Sequence, residues 1–334
     1  MRILGIETSF DDTGVAIYDS QFGILINELC SQTHIHNEHG GVLPELASRE
    51  HLNTLASLIQ YTLNKVKISL NDIDGIAYTA GPGLSGTLLI GATLSFSLSF
   101  SCNIPIIPIH HMEGHLLTPM IENNYLSFPF IGLLISGKHT QLIYAYQLGK
   151  YKILGATLDD AIGETFDKIA KVLGLGYPGG LALSNFARQG ISKTFLFPKP
   201  MKYHNDLNFS FSGLKTFTIN LINKNINNIQ LLYNIAKEFE NTIISMLLHK
   251  CKIIFEQTGL SKLIVSGGVS TNQRIIKKLN YMMNKYHGKI FISRLDFCTD
   301  NAAMIAYVGS IYVKIKSFNI PNIFIQPRWL ISHI

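Results

Sequence analysis

The sequence predicts an α/β chain of two related domains, and three observations lead to that class. A length of 334 residues with 47% hydrophobic content suffices for two cores of ordinary size. Two segments repeat one pattern, an apolar strand broken by a small polar turn and resumed as a second strand, which is how a duplicated unit looks. Between them strands alternate with helices, as layered α/β domains with largely parallel cores require.

The first repeated unit is RILGIETSFDDTGVAIYD. Its apolar run stops at Glu7, Thr8 and Ser9, turns through Asp11, Asp12, Thr13 and Gly14, and resumes as VAIYD. Residues 47–66 carry apolar positions three and four apart and predict a helix that buries one face. A strand follows at 75–79. Residues 86–109 carry no charge over a length able to span a bilayer. Gly86, Gly91, Asn103, Pro105 and Pro108 interrupt them, so they predict a small-residue helix and then a buried strand at 104–109 that Pro108 ends. The second unit, PFIGLLISGKHTQLIYAY at 129–146, turns at Ser136 and Gly137 and resumes near Thr140. A third, KLIVSGGVSTNQRIIKKL at 262–279, is a strand, a Gly-Gly turn and a helix opened by Ser or Thr. Such turns expose backbone N–H groups that can hold phosphate or sugar oxygens. No low-complexity linker divides the halves, so the domains are expected to meet over a ligand-binding cleft.

Four cysteines, Cys30, Cys102, Cys251 and Cys298, form no CxxC pair, which argues against a cysteine zinc cage or a disulfide framework. Acidic residues enter within the first dozen positions, too early for a signal peptide, and a cytoplasmic protein is expected. The net charge of +6 suits a polyanionic partner. It equally suits an Asn-, Ile- and Lys-rich bias such as that at 220–234, so charge alone decides nothing.

The stretch HHMEGHLL at 110–117 carries the clearest chemistry. On a helix starting near His111, His111 and His115 lie one turn apart and offer two imidazoles to one metal, while His110 points elsewhere. A zinc peptidase needs HExxH, with the glutamate directly after the first histidine. Glu113 lies between the histidines instead and rotates away from their face. The third ligand must come from elsewhere. Asp296 and Asp300 in RLDFCTDNAAMIAY are candidates, although on the residues alone Asp300 is better read as the N-cap of the following helix.

Taken together, ETSFDDTG, GGVLPELASREH, AYTAGPGLSGTLLIGA, PIHHMEGHLL, LLISGKHTQL, GETFDKIAKVLGLGYPGG, FSFSGLKT, VSGGVSTN and FCTDNAAMIAY resemble the motifs of the bacterial tRNA N6-adenosine threonylcarbamoyltransferases, long mislabelled O-sialoglycoprotein endopeptidases. The resemblance runs in order along nearly the whole chain. It implies an actin-like ATPase fold, with residues 1–128 and 298–334 forming one subdomain and 129–297 the other. It implies acyl transfer from threonylcarbamoyl-AMP to N6 of adenosine 37 in tRNAs reading codons that begin with A, with AMP released. His111, His115 and Asp300 then hold a divalent metal, usually described as iron, although the same ligands accept zinc. The donor site falls on Leu134, Ile135, Ser136, Gly137, Lys138, Asp167, Gly180 and Asn272. Gly137 and Gly180 would allow close approach, Asp167 would accept from ribose hydroxyls and Asn272 would address adenine or sugar. Asp11 and Asp12 sit where a phosphate-side water or metal could be held, and loop capping explains them equally well. The partners implied are a non-catalytic paralogue of the TsaB type and a small ATPase of the TsaE type. Lys202 and Lys215 are candidate tRNA contacts.

Two motifs depart from the family pattern. Lys138 stands where SGGHTQ has a glycine, so it is strained if that position needs positive φ, unless its ammonium meets the donor phosphate. Phe10 and Asp12 stand in ETSFDDT where ETSCDET is common, which keeps the carboxylate and shortens its reach. The competing reading is an inactive scaffold that binds nucleotide; retention of His111, His115 and Asp300 argues against it.

Overall fold

The structure is a computed structural model that describes residues 1–38, 41–123, 125–176, 178–315 and 323–334. The chain divides into two compact units, Met1–Asn124 with Thr299–Ile334, and Tyr125–Cys298.

The first unit runs through β1 (Arg2–Glu7), β2 (Asp12–Asp19), β3 (Gly23–Ser31), α1 (Thr33–Glu38), α2 (Pro44–Val66), β4 (Gly75–Gly81), α3 (Ser85–Cys102), β5 (Ile106–His110) and α4 (His111–Leu117). Its sheet has the order β3-β2-β1-β4-β5. β1 to β3 form an antiparallel meander, and β4 and β5 add in parallel on the other side of β1. β4 is buried along its entire length, as parallel strands covered on both faces are.

The second unit repeats the arrangement with β6 (Phe130–Ile135), β7 (Thr140–Gln147) and β8 (Lys150–Ala156). The helices α5 (Ile162–Val172), α6 (Gly180–Ala187), α7 (Ser212–Lys224) and α8 (Ile229–Thr258) follow, then β9 (Lys262–Ser266), α9 (Gln273–Lys285) and β10 (Lys289–Ile292). Its sheet order, β10-β9-β6-β7-β8, is the first sheet read from the opposite edge, again a meander flanked by two parallel strands. The duplication inferred from the repeated turns is therefore a duplication of topology. Its core is filled by Phe166, Phe209, Phe211 and Phe239, with aliphatic residues of α8 and β6 around them.

Helix α10 (Ala302–Ile315) returns to the first unit and packs on β1, β2 and β4. The approach is too close for ordinary side chains. A Cβ at Gly5 would stand 2.5 Å from the Ala302 carbonyl oxygen and 2.7 Å from Ala306 Cβ, and one at Gly309 would stand 2.4 Å from Ala77 Cβ. Glycine on both faces of the contact seats the start of α10 near the carboxyl end of β1.

The structure corrects several expectations. Pro108 lies inside β5, which extends to His110; β5 is an edge strand, where a missing N–H is tolerated. α9 is opened by Asn272, whose Oδ1 accepts from the N–H groups of Arg274 and Ile275 at 2.9 and 3.1 Å, while Ser270 and Thr271 form a preceding 3-10 turn. Lys138 is absent from the non-glycine residues with positive φ, so its position carries no left-handed strain. The apolar stretch forms α3 and then β5. α3 is long and apolar enough to cross a membrane by length and composition, and in this unit it packs against α2 and β4.

Because the Gly5 contact fixes how α10 meets the sheet, Gly5→Ala is expected to destabilise the protein by about 1–3 kcal/mol through overpacking. A lower urea midpoint with an unchanged far-UV spectrum is the result that checks it; an unchanged midpoint would show that the helix can shift without cost.

Candidate metal centre

Three parallel strands of the first unit bring polar groups to their carboxyl ends, where an open α/β sheet presents its residues to ligands. Glu7 is the last residue of β1, Thr79 lies near the end of β4, and His111 follows β5 directly. His110 caps α4, its Nδ1 accepting from the Met112 N–H at 3.1 Å, and its ring lies against Trp329. It takes no part in the cluster that follows.

His111 and His115, one turn apart on α4, have ring centres 4.7 Å apart. Asp300, from the segment before α10, places Oδ1 3.0 Å from His115 Nε2 and 3.5 Å from His111 Nε2. One ligand atom from each of the three lies within 4.8 Å of the others. Capping does not explain Asp300, because Asn301 caps α10 by accepting from the Met304 N–H at 3.0 Å. Asp296 sits exposed on a short turn of the second unit and is not a member of the cluster.

Sequence reasoning misses Glu7. Its side chain is wholly buried; Oε1 accepts from the Ser9 N–H at 2.6 Å, and Oε2 accepts from the Thr79 hydroxyl at 2.5 Å and lies 3.0 Å from His111 Nδ1. A carboxylate behind an imidazole fixes the tautomer and raises the basicity of the far nitrogen, here the Nε2 that faces Asp300. One signal was available, since an acid closing a buried apolar strand must find a partner. The identity of that partner depends on folding.

Electrostatics reinforce the geometry. Burial opposes charge on all three groups, yet mutual attraction outweighs it. His111 is pushed up to about 10 by the Glu7 and Asp300 carboxylates; Glu7 is lowered, chiefly by His111, and Asp300 is held well below the usual carboxylate range by His111 and His115. Asp12 moves the opposite way. Burial, and then the charges of Asp11, Asp300 and Glu7, raise it to about 6 against a hydrogen bond from Ser31, and its buried Oδ1 has no hydrogen-bond partner among the described residues. An acid-rich group of this kind, with two imidazoles and a carboxylate converging, fits a single bound cation that would replace the His111 proton. Asp11 and Asp12 are part-buried at the first turn, which His51 pins by contacts to the Thr13 hydroxyl at 2.7 Å and the Phe10 carbonyl at 2.9 Å. Glu113 is turned away from the cluster, with the Tyr312 hydroxyl donating to its two oxygens at 2.9 and 3.1 Å.

In the second unit the structure links the expected donor positions through α5 and α6. Leu134 and Ile135 are fully buried in β6 and can offer a ligand only backbone, whereas Gly137 and Lys138 are exposed. The Ser136 carbonyl accepts from the Gly163 N–H at 3.2 Å, at the start of α5. Asp167, further along α5, accepts from the Gly179 N–H at 2.8 Å and from Gly180; burial raises its pKa and these bonds oppose the rise. Backbone N–H groups thus already engage the carboxylate for which the family resemblance implies ribose hydroxyls. α6 leads on to Ser184, whose hydroxyl accepts from Asn272 Nδ2 at 2.9 Å. Asn272 also donates to Glu240 at 2.9 Å, so its amide is engaged within the protein. A Cβ at Gly137 or Gly180 would meet open space.

Comparison with known proteins follows this geometry. A family model described as tRNA N6-adenosine threonylcarbamoyltransferase matches residues 23–307. The chain is similar to the protein of that name in Buchnera aphidicola subsp. Schizaphis graminum, 55% identical over 335 residues, 100% of this chain and 99% of the relative. It is likewise similar to that of Buchnera aphidicola subsp. Baizongia pistaciae, 53% identical over 330 residues, 98% and 97% of the two chains. Among solved structures, HypF of T. kodakarensis matches with TM-score 0.64 at 14% identity, over 94% of this chain and 48% of HypF. The activator of 2-hydroxyisocaproyl-CoA dehydratase from Clostridium difficile matches with TM-score 0.52 at 12% identity, over 96% and 100%. At such identities the likeness is one of fold, the two-domain actin-like ATPase fold.

Two outcomes are expected from this site. Glu7→Gln keeps the shape but weakens the hold on His111, and metal affinity measured by chelator competition should fall about 10- to 100-fold; unchanged affinity would remove Glu7 from the support of the site. Asp12 has a raised pKa, so its ionised form is disfavoured in the fold. The penalty is absent below its ordinary value of 3.8 and complete above about 6. Asp12→Asn should therefore stabilise the protein in EDTA by about 3 kcal/mol at pH 8 and by almost nothing at pH 3.5, read as paired urea midpoints.

Proposed function

The chain belongs to the tRNA N6-adenosine threonylcarbamoyltransferase family and forms N6-threonylcarbamoyladenosine in tRNA, and from that premise we propose how its residues carry the transfer. The donor in this reading is threonylcarbamoyl-AMP, and the acceptor is N6 of adenosine 37 in tRNAs that read codons beginning with A. The amine attacks the carbamoyl carbon; a C–N bond forms, the C–O bond to phosphate breaks, N6 loses a proton and AMP leaves.

The observation that carries the reading is the convergence of His111, His115 and Asp300 with Glu7 behind His111. We assign the three residues to one divalent metal, iron(II) in the first instance, with zinc suited to the same nitrogen and oxygen donors. A bound cation of this kind supplies charge stabilisation to donor oxygens as the leaving group departs. The chain's own contribution is positional: Glu7 and Ser9 turn His111, α4 fixes His115 one turn on, and Asn301 takes over capping so that Asp300 faces the imidazoles. An adenylate is already an activated anhydride, so aligning a weakly nucleophilic amine with its carbonyl accounts for most of the task.

For the donor we assign the second unit. The backbone at Leu134 and Ile135 leads into Ser136, Gly137 and Lys138; Gly137 and Gly180 leave room for a ligand, and the exposed Lys138 offers an ammonium to phosphate. Asp167 holds the Gly180 loop in place, and Asn272 ties α9 to α6. The adenosine is reached most cheaply in an anticodon loop, where bases are already unpaired. A non-catalytic paralogue of the TsaB type and a small ATPase of the TsaE type are the partners proposed. The retained His111, His115 and Asp300 speak against a scaffold role for this chain itself.

Nucleoside mass spectrometry on unmodified tRNA, with purified protein, threonylcarbamoyl-AMP and partners, tests the mechanism. His111→Ala and His115→Ala should lose bound metal and lower threonylcarbamoyladenosine formation about 100-fold or more. Loss of metal with undiminished product would overturn the role given to the cluster.

A further inference from the structure

A second concentration of charge, of opposite sign, lies in the second unit. A cavity of about 430 Å³ beside α8 and α9 is lined by Lys202, His249, Lys252, Arg274 and Lys278, and, among the described residues, by no carboxylate. Its apolar lining is Ile244, Leu248 and Met282. Arg274 is neutralised by Glu240, and Lys252 has Glu256 at 3.6 Å on the helix surface. Lys202 meets only a neutral group among its hydrogen bonds, the Ser245 hydroxyl at 2.7 Å, and Lys278 is exposed on α9. The surplus is felt by His249, which burial and then the charges of Lys202, Lys250 and Lys252 hold below the usual histidine value. At the rim stands Tyr203, 74% exposed, its ring 5.2 Å from that of His249 and 4.9 Å from Lys202 Nζ.

We propose that this cavity binds the phosphate backbone of the tRNA substrate, with Tyr203 placed to stack an unpaired base. The inference rests on the tRNA-modifying activity and extends it to a surface. A lysine-rich composition explains a net charge of +6, but it does not explain why five basic side chains line one concavity while Glu240 and Glu256 pair with only two of them. Like charges so gathered repel one another until a polyanion neutralises them and releases its counterions. An exposed aromatic beside lysine is the combination that holds unpaired nucleotides, by stacking and charge together. A small phosphate ligand shares the first half of this chemistry and makes no use of the second.

The test uses the full chain with Lys252→Ala/Lys278→Ala, both exposed and both outside the metal and donor positions, and separately Tyr203→Ala. Fluorescence anisotropy with labelled, unmodified tRNA is followed against salt, with far-UV spectra confirming folding. The lysine pair should weaken binding about 10-fold at 0.1 M salt and reduce the slope of log K against log salt by about 1–2, while Tyr203→Ala weakens binding with the slope unchanged. The KM for tRNA should rise and that for threonylcarbamoyl-AMP should not. Unchanged tRNA affinity and slope in the lysine variant would overturn the proposal. So would a raised donor KM with tRNA binding intact, together with competition by inorganic phosphate, which would assign the cavity to a small anion. Either result with product still formed leaves the transferase mechanism standing; absence of product from the unsubstituted chain would strike that mechanism and leave the cavity to the binding data.

Discussion

The first unit depends on one buried carboxylate. Glu7 closes β1 with its side chain out of water, where an unpaired charge would cost several kcal/mol. The Ser9 N–H, the Thr79 hydroxyl and the His111 imidazole satisfy it, and they come from the turn after β1, from β4 and from α4. Satisfying Glu7 thus fixes three elements relative to one another and aims one nitrogen of His111. The same sheet, stripped to glycine at Gly5 and Gly14, admits α10 closely enough for Asp300 to reach that nitrogen's side. A packing constraint and an electrostatic constraint meet at one point, and the ligand geometry is their joint product.

The duplicated topology places unlike chemistry at corresponding strand ends. β1 ends on an acid, and the turn that follows carries Asp11 and opens onto Asp12 at the start of β2, so that place gathers negative charge. β6 ends on Ile135 and is followed by Ser136, Gly137 and Lys138, which carry backbone, a hydroxyl and an ammonium. Glycine is needed beside the second turn for a definite reason: Gly267 has φ of +91°, and a Cβ there would stand 2.6 Å from the Ile135 carbonyl oxygen. One backbone plan thereby carries two differently charged turns, distinguished by a few residues.

What could be read from sequence follows the range of the interactions involved. Apolar runs and polar turns are local, so the strand-turn units, the helix after residue 44 and the histidine pair on α4 were legible. That Asp300 joins the histidine pair was legible only as an alternative to capping, because the actual cap, Asn301, is its neighbour and both residue types cap helices. Lys138 reads as strained only if the turn is assumed to need a glycine conformation, and this chain adopts one open to lysine. Glu7 and Asn272 lie beyond local pattern: the first acts through a histidine 104 positions away, and the second contacts Ser184, 88 positions away. Spacing along the chain carries no information about either contact.

The two histidines with a glutamate between them also show why a motif's letters are weaker than its geometry. On a helix successive residues turn by about 100°, so the glutamate two positions after His111 points to the opposite side of α4. There it accepts from Tyr312, and burial together with the Glu113 charge raises the tyrosine hydroxyl further from ionisation. A hydrolase would need that carboxylate beside the metal to activate water. Transfer to an amine has no such requirement, since the acceptor is itself the nucleophile and bound water would compete with it. The cluster gathers two imidazoles and one carboxylate and buries Glu113 against a phenol, so it lacks the metal-side glutamate that a water-activating hydrolase requires.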